Sequence, residues 1–202
     1  MKRREFLALL SAIASASPAT AIDVKMGDRV IAETTALFRA MTPSIVKPPG
    51  SKNSLTMISN DWTGIYQFRG NDIDLLKKFP IKNGVISGLF FNKRLNKLLN
   101  SEKIEEIMFY NGGDRDKIIE SFKIDKIVPF VMISEISLYS PVFDRSFNRA
   151  MLVVMFYSHS EKTAAWTPGD KLAPLEFSIV LFVFEKRNGV WRQVGDQLLA
   201  IS

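Results

Sequence analysis

The chain contains no cysteine and a single histidine, His159. The first absence excludes disulfides, thiolate metal sites, iron–sulfur clusters, lipid attachment through sulfur and cysteine nucleophiles. It also removes any reading of redox compartment. The scarcity of histidine argues against zinc, since one imidazole would leave only carboxylates as further ligands. No metal and no cofactor is expected. A Gly-x-Ser-x-Gly nucleophile elbow is missing. Residues 64–70 have Walker-like glycine spacing, but no Lys-Ser/Thr pair follows to hold phosphate. There is no internal repeat and no low-complexity tract. No apolar run reaches the ~20 residues that a membrane-spanning helix needs. Later apolar runs, such as residues 179–184, have strand length.

What is present is the composition of a folded domain. Of 202 residues, 47% are hydrophobic and 24% charged, which separates the chain from disordered sequences. The length suits one domain with a substantial core. The formal net charge is +6, and Lys2, Arg3, Arg4 and Glu5 supply part of it. Elsewhere acidic and basic residues are interspersed, a pattern of solubility and not of nucleic-acid binding.

Lys2, Arg3 and Arg4 precede a short apolar run at residues 6–14, and Ala19-Thr20-Ala21 follows with small residues at both cleavage-site positions. This tripartite order predicts a secretory signal over 1–21, cleaved after Ala21. Arg3-Arg4-x-Phe6-Leu7 resembles the twin-arginine export signal. That resemblance implies a bacterial or archaeal protein that folds before it crosses the membrane, with the export machinery as a partner. The Ser or Thr usual before the arginines is replaced by Lys2. General secretion and a retained structural helix are the alternatives. The mature protein is expected to be periplasmic or extracellular.

Residues 22–202 read as a single α+β domain. A helix is expected over 28–41, capped by Asp28, with Val30, Ile31, Leu37, Phe38 and Met41 on one face and a stop at Thr42-Pro43. Residues 47–51 form a breaker. Short strands are expected at 55–59 and 65–68. Helical patterns follow at 73–79, at 93–99, from a cap at Ser101 to a stop at Asn111-Gly112, and at 114–122, while 85–91 is ambiguous. After Pro129, residues 134–143, 150–158, 177–186 and 190–201 are rich in β-branched and aromatic residues. Asn188-Gly189 between the last two favours a type I′ hairpin turn. Residues 144–148 predict a second hairpin loop. The expected architecture is a helical N-terminal part packed on a C-terminal four-stranded antiparallel meander. Phe177, Ile179, Leu181 and Val183 alternate with Val180, Phe182 and Phe184, so the third strand has two apolar faces. It is central and covered on both sides, or its outer face meets a partner, for which a homodimer is one option.

The order Leu181 to Phe184, Glu185-Lys186-Arg187, Asn188-Gly189, Val190-Trp191 resembles the last hairpin of NTF2-like domains and the C-terminal ends of uncharacterised exported bacterial proteins. The NTF2 resemblance implies a cone, a curved sheet around helices, often with a pocket. It supplies no catalytic residue.

Among single residues, His159 is a candidate general base, set against the simpler reading of a solvated loop histidine. Neighbouring side chains on an extended segment point apart, so Ser158 is a poor partner for it. The long loop at 160–176 carries Trp166 and Asp170, which with Tyr157 are candidate ligand or partner contacts. The alternative is a loop pinned by its own tryptophan. Trp62 and Trp191 read as structural. Asn111-Gly112-Gly113-Asp114-Arg115-Asp116 has the look of a metal loop but lacks an EF-hand's ligand series, and reads as a helix stop followed by the next cap. Lys77, Lys78, Lys93, Arg94 and Lys97 read as a solvated helix face. Together these features suggest an exported, non-catalytic domain binding a partner or small ligand. The alternatives are an NTF2-like pocketed hydrolase or isomerase, and a basic surface for anionic envelope components.

Overall fold

The computed structural model describes residues 24–45, 52–59, 64, 66, 85–87, 107–110, 113–172 and 175–201. The signal segment, Trp62, the expected helices at 73–79 and 93–99, the basic face at 77–97 and Asn111-Gly112 lie outside these residues. So does most of the glycine-spaced stretch at 64–70.

Helix α1 spans Val24–Ile45. It is one turn longer at its start than the sequence suggests, so Asp28 is an exposed interior residue and not its cap. It also continues past Pro43, which sits in the last turn. Val30, Leu37, Phe38 and Met41 are buried along one stripe, as the helical period requires. Thr34 and Thr42 fit the helix by donating their hydroxyls to the carbonyls of Val30 (2.7 Å) and Phe38 (2.9 Å). A second helix, α2, spans Arg115–Lys123 and buries Ile119.

The strands are β1 Ser54–Ser59, β2 Val85–Ser87, β3 Ile107–Tyr110, β4 Phe130–Leu138, β5 Val142–Asp144, β6 Arg149–Lys162, β7 Glu176–Arg187 and β8 Val190–Ile201. All eight join one sheet. The expected antiparallel meander is present as β4, β6, β7 and β8, but it is half of a larger mixed sheet and not the whole of it. β1 adds to β4 in parallel, and β3 adds to β1 in parallel. Parallel strands need a crossover, and α2 lies in the one from β3 to β4, which flank β1. The helix expected from Ser101 to a stop at Asn111-Gly112 is strand β3 over its described residues, Ile107–Tyr110. Ile104, Ile107 and Met108 have helical spacing, but pairing with β1 decides the conformation of the last part.

β5 continues the line of β4 along β6. Leu138 faces Val154 and Val142 faces Met151, so four steps on one side match three on the other. The extra residue is a bulge at Tyr139–Pro141, where Pro141 has no N–H to offer a ladder. The two hairpins predicted from sequence are both formed. Asp144 Oδ1 accepts from the amides of Asn148 (2.8 Å) and Arg149 (3.2 Å), closing the first. Asn188 (φ 52°) and Gly189 (φ 78°) turn the second.

Strand alternation sorts the core onto two faces. On one, α1 packs against Ile136, Leu138, Leu152, Val154, Phe182 and Phe184. On the other, α2 packs Ile119 against Leu55, Met57, Val131 and Ile133. Further along that second face Val153, Leu181 and Val183 meet Tyr66, Tyr139 and Ile179. β7 is therefore an interior strand with apolar contacts on both sides, as its sequence requires.

Candidate functional site

Residues of one parity on β1, β4, β6 and β7 face α1. Beyond the C-terminal end of that helix they open into a cavity of about 850 Å³. The register builds its lining row by row. Thr56 faces Ser134, Ser134 faces Ser158, and Ser158 faces Glu176. This places three hydroxyls and a carboxylate in one line across four strands. The Ser134 and Ser158 hydroxyls are 3.2 Å apart. The wall deeper toward α1 is apolar, with Ile136, Phe156, Val180 and Phe182. Ser44, in the last turn of α1, donates to Gln193 Oε1 (2.7 Å), and both line the cavity. Glu176 and Asp196 are exposed at its rim.

The chemistry of this lining is hydrogen bonding beside an apolar wall. The cavity's described residues include no imidazole, lysine or arginine. A serine hydroxyl becomes a nucleophile only with a base hydrogen-bonded to it; the Ser134 and Ser158 hydroxyls contact each other, and Glu176, next in the row, is exposed at the rim. The arrangement suits a molecule with an apolar body and one hydroxyl, amide or carbonyl group.

A second polar cluster lies on the opposite face, under α2. Glu135 is 8% exposed, although it sits in an apolar strand. Arg115 reaches it with two hydrogen bonds, Nε to Oε2 (2.7 Å) and Nη2 to Oε1 (2.6 Å). Tyr110 donates its hydroxyl to Oε2 (3.1 Å). Burial alone would push the Glu135 carboxyl up. The Arg115 guanidinium, helped by Tyr110 and His159, instead holds it below the usual carboxylate range. The same two hydrogen bonds raise Arg115, against its own desolvation. Glu135 is thus a saturated anion and not an available base.

His159 lies beside this pair, in strand β6 and not in a solvated loop. Its Nδ1 is 3.6 Å from Glu135 and its Nε2 is 3.2 Å from Glu161. Both nitrogens are buried, and neither carboxylate is aligned with them for a hydrogen bond. Tyr157 stands two residues before it on the same face, with ring centroids 5.2 Å apart. Ser158 points to the other face and lines the cavity, so alternation keeps it from His159.

Trp166 and Asp170 belong to a different place, the loop after β6. That strand runs to Lys162, two residues past the expected start of the loop. Lys162 Nζ stands over the Trp166 ring at 3.5 Å, and the buried indole Nε1 has no hydrogen-bond partner among the described residues. Asp170 Oδ2 accepts from the Thr167 amide (2.8 Å) and hydroxyl (2.9 Å), closing its own turn. The structure therefore brings together Tyr157 with His159, and Trp166 with Asp170 in one loop. None of the four lines the cavity. Trp191 is buried in the α1 core, and its indole donates to Glu33 Oε2 (2.9 Å). Asp114 and Asp116 of the glycine-rich loop pair with Lys117 and Arg115.

The Thr56–Ser134–Ser158 row and the Arg115–Glu135 pair are not among the residues singled out from sequence. Each leaves a faint signal, a hydroxyl or charge recurring inside an otherwise apolar alternating strand. No family model, no curated protein and no solved structure matches this chain.

Proposed function

We propose that the chain is an exported, non-catalytic domain that holds a small amphipathic ligand in the cavity beside α1. The observation that supports this reading is the hydroxyl row of Thr56, Ser134 and Ser158 set against the apolar wall of Ile136, Phe156, Val180 and Phe182. The volume of about 850 Å³ falls within the range of small-molecule sites. In this reading β4, β6, β7 and β8 with α1 are the pocket-bearing scaffold, the part that an NTF2-like cone would play. The signal-like residues Arg3, Arg4, Phe6 and Leu7, with Ala19 and Ala21, account for delivery to the envelope.

A fluorescent long-chain alcohol, uncharged as the lining requires, tests the pocket. The full chain should bind it saturably, and S134V/S158V should weaken binding by about tenfold, the effect of losing one or two hydrogen bonds. Absence of saturable binding, or equal affinity in the double variant, rejects the reading. Export is tested separately with R3K/R4K. The twin-arginine route predicts loss of export, whereas continued processing after Ala21 points to general secretion. The enzyme alternative rests on Glu176 and Asp196. Both stand exposed at the rim of a cavity whose described residues include no imidazole, lysine or arginine to complete an acid–base set.

A further inference from the structure

We infer that the end of the sheet formed by residues 124–129 and the loop after Lys162 is a docking surface for an anionic lipid bilayer. The two segments are neighbours. The Thr163 amide donates to Pro129 O (3.1 Å) and its hydroxyl to Val128 O, while Phe130 faces Lys162 in the ladder. What they present is unusual for a surface. Ile124 is 76% exposed and Ile127 is 93% exposed. Single exposed aliphatic residues are ordinary, but two large ones three positions apart in one short segment put an unusual amount of apolar surface in solvent.

Cations flank that pair. Lys126 lies between the isoleucines in sequence, over the Phe122 ring (4.2 Å), and donates to Lys52 O (2.8 Å). Lys52 itself is exposed, as are Lys162 and Lys171 of the neighbouring loop. The acidic residues within these segments are Asp125, which is exposed, and Asp170, whose carboxylate is committed to Thr167. Glu161, next to Lys162, is engaged by Lys123 (3.7 Å) and His159 (3.2 Å), so Lys52, Lys126, Lys162 and Lys171 stand against Asp125 and Asp170 and the balance is positive.

The ordering along the tip chooses the occupant. A protein partner would need a recess for two convex isoleucines and acidic groups around it. A bilayer offers both at once, an apolar interior beneath a layer of anionic headgroups. The lysines have long apolar stems, which let their charge stay at headgroup depth while shorter aliphatic tips enter the acyl region. Hydrogen bonds to Val128 and Pro129 anchor the tip, so little ordering is required on contact. This surface is separate from the cavity and does not depend on it being a ligand site.

Co-sedimentation with vesicles decides the matter. The full chain is compared as wild type, I124S/I127S and K52E/K171E, so that residues 1–21 are common to all three. Vesicles of phosphatidylcholine alone are set against vesicles containing phosphatidylglycerol. All four substituted residues are exposed, and unchanged circular dichroism and melting will show that each variant folds. Wild type should sediment with the anionic vesicles and release as salt rises. I124S/I127S should bind about tenfold more weakly per isoleucine removed. K52E/K171E should bind weakly and lose most of its salt dependence. Failure of the wild type to bind anionic vesicles overturns the proposal, as does equal binding by either variant. A concentration-dependent dimer abolished by I124S/I127S would also overturn it, by making the tip a contact between copies.

Discussion

Glu135 shows how one residue can stabilise a sheet that its own chemistry opposes. A buried carboxylate without a partner would be costly, and Arg115 removes that cost with two hydrogen bonds and a full charge. Replacing it by glutamine leaves the guanidinium half-buried and weakly partnered. Breaking a fully buried pair costs roughly 3–5 kcal/mol. Arg115 is about one-third exposed at its side chain, so E135Q should cost less, about 2–3 kcal/mol in urea denaturation at neutral pH. The pH dependence has a definite sign. The folded carboxyl titrates below its unfolded value, so its stabilisation is complete above the unfolded pKa of about 4.3 and disappears as pH falls through the folded value. The gap between wild type and E135Q should therefore shrink in acid. A gap that stays constant from neutral pH down to acid would show that the pair contributes packing and not charge.

The hairpin of β7 and β8 carries the argument at the scale of an element. Its turn needs two left-handed residues in succession, and Asn188 and Gly189 supply them at φ 52° and 78°. A Cβ added at Gly189 would meet nothing within 4 Å, so G189A isolates backbone conformation from crowding. Its cost should be about 1 kcal/mol, read as a fall in the unfolding midpoint with no change in denaturant slope. A neutral substitution would mean that the turn adopts another type without penalty. This hairpin was legible in sequence because its signal is local. β3 was not, because its apolar residues fit a helix equally well and only pairing with β1, from a distant part of the chain, distinguishes the two. The same distinction applies to the polar residues. Asn188-Gly189 identifies itself, whereas Glu135 finds Arg115 only after α2 has crossed between β3 and β4. The Thr56–Ser134–Ser158 row likewise exists only in the assembled register. His159 looked like a loop residue because β6 runs further than its aromatic stretch announces.

At the scale of the molecule, the sheet separates buried clusters on its two faces among the described residues. Phe38 on α1 is buried against one face, and Ile119 on α2 against the other. Both cores draw on β4, with Ile136 and Leu138 on the first side and Val131 and Ile133 on the second. Loosening either face should therefore disturb strands that the other needs, and the whole should melt as one unit. F38A should cost about 3–5 kcal/mol and I119A about 2–4 kcal/mol, from lost burial and the cavities left behind. The two sites have no shared side-chain partner, so the double variant should show nearly additive losses. Trp191 belongs to the α1 core and gives a fluorescence probe of that side, while far-ultraviolet circular dichroism follows the sheet and helices together. In I119A both signals should fall at the same, lowered denaturant concentration. If Trp191 fluorescence in I119A stayed at the wild-type midpoint while the circular dichroism changed earlier, the α2 side would be unfolding alone. The shared strands would then fail to couple the two faces, and the cavity beside α1 would survive the loss of everything packed on the other side.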